Sequence, residues 1–419
     1  MSTAAETRLW HPFADMSHVR DHELVIERGE DVWVYDTEGR RYLDATASLW
    51  YANVGHGRRE IADAAYAQMQ KLEAYSAFGD FSNPAARQLA DTLCDLAPMP
   101  ARAFLVSGGG DAIDTAAKLA RRYWAALDQP DRTLLISRTH GYHGTHGFGT
   151  GLAGIPANRV GFGPQVETVQ VPHDSLEATE QAIQQHGAER VAGIFMEPVI
   201  GAGGVYPPMP GYVEGMAKLC RRTGVLLIID SVICGFGRLG SWFGVERFGI
   251  EPDMITFAKG VTSGYLPLGG VMVHERVAEP FWSTPGAPVF RHGPTYAAHA
   301  TCCAAALANI ALLGQDGLLE RGAEMEQPLH EVVRAFDDHP AVSETRGGTG
   351  FLAAVEFSDE TMERHPDAVN RVVMTARKQG VLIRPLGRAV ALSPPLTTTH
   401  EHLALIQDAI ATGLRTLEA

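Results

Sequence analysis

Two residues that can do chemistry close short apolar runs in the middle of the chain. Asp230 ends the run LLIID, and Lys259 follows the run MITFA. An ionised carboxylate at the end of a buried strand is costly unless a cation meets it. A lysine at low dielectric has its charged form disfavoured and becomes a nucleophilic amine that can form a Schiff base. Both positions are candidates for a reactive site, with an ordinary surface lysine as the alternative for Lys259.

Three consecutive glycines in the segment SGGGDAIDTAAKLAR follow an apolar run and lead directly into a helical pattern. Glycine lets the backbone approach a ligand closely, and a helix N-terminus offers unpaired N–H groups with a favourable dipole. These properties are typical of a phosphate cradle. A plain strand-to-helix turn, with Asp111 or Asp114 as an acid of the first turn, is the alternative, and the glycines taken alone slightly favour it.

Histidine and glycine crowd the segment HGYHGTHGFGTG around a single tyrosine. His140, His143 and His146 could ligate a metal, but no acid or cysteine nearby has helical ligand spacing. An aromatic lid over a flat ligand is the better interpretation for Tyr142. We therefore expect no metal site.

The segment GFGRLG matches the dinucleotide-binding pattern G-x-G-x-x-G letter for letter. That pattern should stand at a strand-to-helix turn. Here the residues SVIC separate it from Asp230, and the following SWFGVERFGIEPD is a poor helix. We interpret it as a chance match, which leaves an NAD(P)-dependent oxidoreductase as the rival from another class of enzyme.

One cofactor would use all of these features together. Pyridoxal phosphate needs a phosphate cradle, a desolvated lysine amine, a flat aromatic partner and a carboxylate that faces its ring cation. Each signal is weak alone, but their conjunction along one chain is much stronger. The sequence therefore predicts pyridoxal 5'-phosphate as the cofactor.

The elements that position these residues follow an α/β pattern from about residue 60. The candidate strands AFLVS, TLLIS, VAGIFME, LLIID, MITFA and LGGVMV alternate with helical patterns. This alternation predicts a mostly parallel sheet with helices on both faces, whose ligands bind beyond the carboxyl ends of the strands. Before it, DVWVYDTEGRRYLDA predicts a β-hairpin that turns at Thr37-Glu38-Gly39, and later GFLAAVEF and VLIRP predict short strands.

We expect two domains. The large cofactor-binding domain covers residues 61–315, and a smaller α+β domain covers residues 316–419. The N-terminal segment 1–60 is expected to complete the smaller domain through its hairpin.

Composition limits the classes of partner. The formal charge is −14 with scattered lysines and arginines, so we expect no nucleic-acid partner. No apolar stretch approaches the roughly 20 residues that span a bilayer, and the N-terminus lacks the pattern of a signal peptide. Five cysteines without paired spacing are expected to be reduced thiols. The expectation is a cytoplasmic protein without a membrane partner.

From LWHPFADM to RPLGRAVALSPPL the chain resembles the class III (ω-) aminotransferases of the fold-type I pyridoxal-phosphate superfamily. In that family a segment like DSVICGFGR carries the acid that binds the pyridine nitrogen, which falls on Asp230, and Val232 would pack on the ring. The segment PDMITFAKG is similar to the one that carries the Schiff-base lysine, here Lys259. The resemblance thus implies a fold-type I transferase in which Lys259 is catalytic.

The same resemblance assigns further contacts to the cofactor. SGGGDAIDTAAKLAR is similar to the phosphate-binding turn, which places Gly109 and Gly110 at the phosphate. HGYHG carries the stacking tyrosine, Tyr142. RHGPTYAAH resembles the segment that reaches the neighbouring subunit's phosphate through Pro294 and Thr295, which implies an obligate homodimer with active sites at the subunit interface.

Substrate contacts implied by the resemblance fall on Trp50, Tyr142 and Arg384. Trp50 lies in DATASLWYANVGHG, and Arg384 lies in IRPLGRAVALSPPL, where relatives carry the arginine that grips a substrate carboxylate. An arginine fork matches a carboxylate with two hydrogen bonds. A structural salt bridge is the alternative role for Arg384.

The chain departs from the family pattern at three positions. Gly110 stands where a serine is usual, which removes one hydroxyl contact to the phosphate. Ser231 replaces a glutamate beside the cofactor acid, and Ile113 replaces a frequent asparagine. None of them changes Lys259 or Asp230, so catalysis is expected to be intact.

The expected reaction is a ping-pong transfer of an amino group from an amine or ω-amino acid to an α-keto acid, with pyruvate as the expected acceptor. Within the family, 7,8-diaminopelargonate synthesis shares the LWHPF-like start. Racemisation, mutase chemistry and decarboxylation on the same scaffold are further alternatives.

Overall fold

Strands and helices alternate along most of the chain in the computed structural model, which describes residues 7–418. Residues 1–6 and 419 lie outside the described part. The predicted N-terminal segment 1–60 can therefore be compared with the structure only from residue 7, and the predicted C-terminal domain only up to residue 418. The strands are β1 (Ile26–Glu30), β2 (Trp33–Asp36), β3 (Arg41–Asp44), β4 (Ala101–Val106), β5 (Leu134–Arg138), β6 (Thr168–Val171), β7 (Val191–Met196), β8 (Leu226–Asp230), β9 (Met254–Phe257), β10 (Gly269–His274), β11 (Val342–Arg346), β12 (Ala353–Phe357), β13 (Val381–Leu382), β14 (Arg384–Leu386) and β15 (Ala389–Leu392).

The helices pack around three sheets. They are α1 (Met16–His22), α2 (Ala47–Trp50), α3 (Arg59–Lys71), α4 (Pro84–Leu96), α5 (Gly109–Ala126), α6 (Gly147–Leu152), α7 (Leu176–His186), α8 (Tyr212–Thr223), α9 (Glu275–Trp282), α10 (Ala300–Gln315), α11 (Leu318–Glu324), α12 (Glu326–Arg334), α13 (Asp359–Arg364), α14 (Ala368–Lys378) and α15 (His400–Arg415).

The large sheet has seven strands in the order β4-β10-β9-β8-β7-β5-β6. The pairs of β10 with β4 and β9 are antiparallel, and the remaining pairs are parallel. Every residue of β8 is buried, because neighbouring strands cover its edges and side chains pack on both faces. The predicted α/β fold with a mostly parallel sheet is confirmed. The partly polar strand β6 at the edge was missed.

Two smaller sheets use both ends of the chain. The N-terminal hairpin is confirmed, since β2 and β3 pair antiparallel on either side of the predicted turn. Strand β13 joins the same sheet by pairing in parallel with β3, at Val381 opposite Leu43. The other sheet has the order β11-β12-β15-β14. The domain boundaries at residues 60 and 315 remain predictions.

Within the described residues no single helix is long and apolar enough to cross a membrane. The bent pair Ala300–Gln315 and Leu318–Arg334 meets the length and composition criteria only when its two helices are taken together.

The cysteines are free thiols, as predicted: Cys94, Cys220, Cys234, Cys302 and Cys303.

Candidate active site

A cavity of about 690 Å³ opens beside the carboxyl ends of β8 and β9 and the N-terminus of α5. It brings together most of the residues that the sequence singled out. Those that line it are Trp50, Gly109, Gly110, Tyr142, Asp230, Val232, Lys259 and Arg384. The predicted site is therefore one place in the fold.

Lys259 stands in a short turn after β9 and faces this cavity. Its φ of 48° lies in the left-handed region, which is strained for a residue other than glycine. The Asn309 amide holds the turn by donating to the carbonyls of Gly260 and Val261 at 2.8 and 3.0 Å. Loss of hydration lowers the pKa of the Lys259 amine to about 8, although Asp230 and Glu197 oppose the shift. Near neutral pH this amine is deprotonated far more often than an ordinary lysine.

Asp230 is held rigidly at the end of β8. Its Oδ2 lies 2.8 Å from Nδ1 of His143, and its Oδ1 accepts from the backbone N–H of Val232 at 3.1 Å and the hydroxyl of Thr256 at 3.3 Å. Both Asp230 and His143 are almost completely buried. Such a carboxylate is ready to meet a cation in the cavity, which answers why an acid ends the run LLIID.

The partnership of His143 with Asp230 was missed by the sequence analysis, which weighed His143 only as a metal ligand. The two residues are 87 positions apart, so no local spacing reveals the pair. The available signal was that both follow strands of one parallel sheet, whose carboxyl ends meet at one edge. No group of three or more metal-ligating side chains occurs within residues 7–418.

Glu197 also has a role that sequence reasoning did not assign. It follows β7, lines the cavity and accepts from the backbone N–H groups of Tyr142 and Gly201 at 3.0 and 2.9 Å. Burial raises the pKa of its carboxyl group. Glu197 thus fixes the backbone of the loop that carries Tyr142.

The glycine turn has the properties of a phosphate cradle. Helix α5 begins at Gly109, and its N-cap residue Gly108 offers no side-chain cap. The first N–H groups of a helix have no intrahelical acceptor, so those of α5 are available to an anion. A Cβ atom on Gly109 would stand 3.1 Å from Cγ1 of Val232, so a side chain at this position would press on Val232.

Arg384 begins β14 and points its charge into a region without an anionic partner. Within the described residues its Nε is buried and makes no hydrogen bond, and no acid lies within ion-pair distance. Burial lowers the pKa of its guanidinium group, with Tyr142 opposing the shift. The alternative of a structural salt bridge is wrong for this arginine in the described part of the chain.

The aromatic side chains of Trp50 and Tyr142 form part of the cavity wall. Trp50 is 2% exposed, and its indole Nε1 is buried without a hydrogen-bond partner among the described residues. Burial raises the pKa of the Tyr142 phenol. Together they offer apolar surface beside the free guanidinium of Arg384.

Pro294 and Thr295 are not brought to this cavity. They lie in the segment between α9 and α10, and Thr295 is exposed. The role predicted for them concerns the cofactor of a neighbouring subunit, so their absence from their own chain's cavity does not test it.

The structure also locates the departures from the family pattern. Ser231 is buried outside the cavity lining, where its hydroxyl donates to the carbonyl of Phe243 at 2.6 Å. Ile113 lines the cavity and is buried.

The segment GFGRLG lies in turns and a bend, and no α-helix begins at its end. Arg238 within it is fully buried and donates to Asn53 Oδ1 and to the carbonyls of Phe351 and Pro394. The segment thus packs the core rather than cradling a dinucleotide, which removes the basis of the oxidoreductase alternative.

The donor set of the cavity fits pyridoxal phosphate. Unpaired helix N–H groups suit its phosphate, and Asp230, backed by His143, suits its ring nitrogen. The desolvated amine of Lys259 suits its aldehyde.

Comparisons with known proteins agree with this fit. The family model described as aminotransferase class III matches residues 16–414. The chain is 35% identical to the putrescine–pyruvate aminotransferase of Pseudomonas aeruginosa, with 94% of this chain and 93% of that protein covered. It is 36% identical to the diaminobutyrate–2-oxoglutarate transaminase of Halomonas elongata, with 93% of this chain and 89% of that protein covered. The solved structure of an amine transaminase from an uncultivated Pseudomonas species, in its PLP-bound form, superposes on this chain with a TM-score of 0.93. The two sequences are 33% identical, and the match covers 98% of this chain and 99% of that chain.

Proposed function

The chain belongs to the class III aminotransferases, which depend on pyridoxal phosphate, and we propose that it transfers an amino group from an amine or ω-amino acid to pyruvate by a ping-pong mechanism. The observation that carries this proposal is the convergence of Lys259, Asp230 and Arg384 on one cavity. The first two residues serve the chemistry of amino transfer, and the third serves the recognition of a carboxylate.

Pyridoxal phosphate, when bound, supplies an electron sink for the carbanion that forms beside the amino nitrogen. Asp230 keeps a proton on the ring nitrogen, because its buried carboxylate favours a cation opposite it. His143 supports this role by fixing one carboxylate oxygen. Lys259 Nζ is the general base that removes the proton from the carbon bearing the amino group, and its low pKa keeps it available.

Arg384 supports pyruvate as the acceptor. It is the sole arginine among the described residues that line the cavity. One guanidinium group can pair with the single carboxylate of pyruvate, whereas 2-oxoglutarate would bring a second carboxylate for which the described lining of this chain offers no second arginine. In a ping-pong order the oxidised donor leaves before the keto acid enters, so both can use the same pocket.

The donor proposal rests on the aromatic wall. Trp50 and Tyr142 provide apolar surface that suits a hydrophobic or aromatic amine. If Arg384 swings outward, the pocket can accept a donor that lacks a carboxylate. The low polarity of this wall therefore favours amines over dicarboxylic amino acids.

We further propose an obligate homodimer in which Pro294 and Thr295 contact the phosphate bound by the neighbouring subunit. The exposure of Thr295 outside its own cavity supports this arrangement. The cytoplasmic location remains a prediction from the sequence.

One further observation favours 7,8-diaminopelargonate synthesis as a second candidate. Pro12 and Phe13, which belong to the LWHPF segment, line the cavity. In this alternative the donor or acceptor would extend towards that segment. A long amino-keto acid would then be preferred to pyruvate.

A panel of amines assayed with pyruvate, 2-oxoglutarate and a long-chain amino-keto acid tests the proposal. We expect a visible cofactor band that borohydride abolishes, parallel double-reciprocal lines, and the highest kcat/KM with pyruvate. Preference for 2-oxoglutarate or the long keto acid would overturn the acceptor assignment. Product formation without any keto acid would indicate racemase, mutase or decarboxylase chemistry instead.

A further inference from the structure

The ring of His146 lies directly against Gly110 at the start of α5. A Cβ atom on Gly110 would stand 3.0 Å from Cδ2 and Nε2 of this ring and 3.1 Å from its Cε1. These separations are shorter than ordinary van der Waals contact, so the imidazole would have to shift by a few tenths of an ångström to admit a side chain at position 110. The ring therefore borders the space that a serine side chain would enter.

His146 is also placed to meet a ligand in the cavity. It lines the cavity together with Gly109 and Gly110. Its Nδ1 faces the carboxylate of Asp111 at 3.5 Å, an interaction that orients the ring. Although His146 is the N-cap residue of α6, its side chain does not cap that helix. Within the described residues Nε2 has no hydrogen-bond partner, so it is free to donate into the cradle.

We propose that His146 Nε2 donates a hydrogen bond to the cofactor's phosphate, in place of the hydroxyl that a serine would supply at the position of Gly110. The inference rests on the cofactor site described above. Because Nδ1 faces Asp111, Nε2 is the ring nitrogen that is left to donate to the phosphate.

The dissociation constants of pyridoxal phosphate and of pyridoxal, measured by equilibrium dialysis of the full-length protein, test this role. Pyridoxal keeps the aldehyde and the ring but lacks the phosphate. His146→Ala is expected to bind pyridoxal phosphate about tenfold more weakly. It should bind pyridoxal unchanged, and His146→Gln, which retains an N–H donor, should recover part of the loss.

His339→Ala is the matched control. This histidine also pairs with an acid, Glu418 at 3.3 Å, but lies away from the cavity. Its removal should change neither dissociation constant. Thermal unfolding of each variant without cofactor verifies that the fold is intact.

Substitutions at Gly110 and His146, made separately and together, provide a second test. Gly110→Ser alone should weaken pyridoxal phosphate binding or leave it unchanged, because the serine displaces the ring as it adds a hydroxyl. Added to His146→Ala, the same serine should restore most of the lost affinity. This non-additivity is the expected mark of two groups that share one site.

Several outcomes would overturn the inference. One is an equal loss of pyridoxal phosphate and pyridoxal binding in His146→Ala, and another is no loss of either. Additive effects of the two substitutions would likewise contradict it. If the original protein itself bound pyridoxal as tightly as pyridoxal phosphate, the phosphate site at α5 would be wrong, which is a separate failure from that of His146.

Discussion

Replacement of Arg384 by alanine is expected to weaken the use of pyruvate far more than the use of an apolar amine. The Arg384 side chain is half-buried, and within the described residues its buried Nε has no hydrogen-bond partner and no acid pairs with its guanidinium group. A substrate carboxylate would therefore be the first anion that it meets. An amine without a carboxylate makes no such contact.

The size of the loss follows from the contact that would disappear. Hydrogen bonds to charged groups contribute about 1.5–3 kcal/mol each, and an arginine fork makes two of them to a carboxylate. Allowing for water that enters the emptied space, we expect about 3 kcal/mol, or roughly 150-fold in kcat/KM for pyruvate. The loss for an apolar amine should stay within about threefold.

The two half-reactions can be assayed separately. Loss of the visible cofactor band after mixing with an amine reports donor use, and its return with pyruvate reports acceptor use. Arg388→Ala is a suitable control, because this arginine lies four residues further on and pairs with Asp359 on the surface. Arg384→Lys should recover only part of the acceptor activity, since lysine cannot form the planar fork.

Equal losses in the donor and acceptor half-reactions would refute the carboxylate role of Arg384. A loss confined to the amine step would refute it as well. An unchanged preference among keto acids in Arg384→Ala would show that another group selects the acceptor.

Three further predictions concern the cofactor groups. The rate at which cofactor-free protein condenses with pyridoxal should rise with pH and level off above about 8, because burial lowers the pKa of Lys259 to that value and only the neutral amine attacks; a rate still rising at pH 10 would contradict the low pKa. His143→Ala should leave Asp230 without its buried partner and lower kcat about tenfold or more, with little change in KM, as steady-state kinetics can measure. Gly109→Ala should weaken cofactor binding in equilibrium dialysis, because its methyl group would press on Val232 at 3.1 Å, and unchanged affinity would show that the turn can yield.

The positions of Lys259 and Asp230 could be predicted because each follows a buried apolar run. Parallel strands carry their ligand sites at one edge, so two strand-end residues are brought together without knowledge of side-chain contacts. The hairpin could be predicted because Gly39 lies between two alternating runs and glycine suits a tight turn. In the structure Gly39 has a φ of 77°, and β2 and β3 pair on either side of it.

Contacts between distant side chains could not be predicted in this way. His143 contacts Asp230, and Glu197 accepts from the backbone N–H of Tyr142, although the residues of each pair are far apart in sequence. Their formation depends on strand order and on side-chain direction, which hydrophobic periodicity does not encode. The short strand β6 was missed because three of its four residues are only partly buried and half of them are polar.

Strand β13 ties the two ends of the chain together, through Leu43 N–H to the Gly380 carbonyl at 2.8 Å and Ala45 N–H to the Leu382 carbonyl at 3.1 Å. Arg384 follows this junction by two residues, and Trp50 follows Ala45 by five. Asp230 instead ends β8 of the large sheet, and Lys259 follows β9 of the same sheet by two residues. In the proposed function, Arg384 and Trp50 near this junction select the substrate, whereas Lys259 and Asp230 transfer the proton and hold the cofactor ring, so substitutions around the junction could change the choice of substrate without altering the reacting groups.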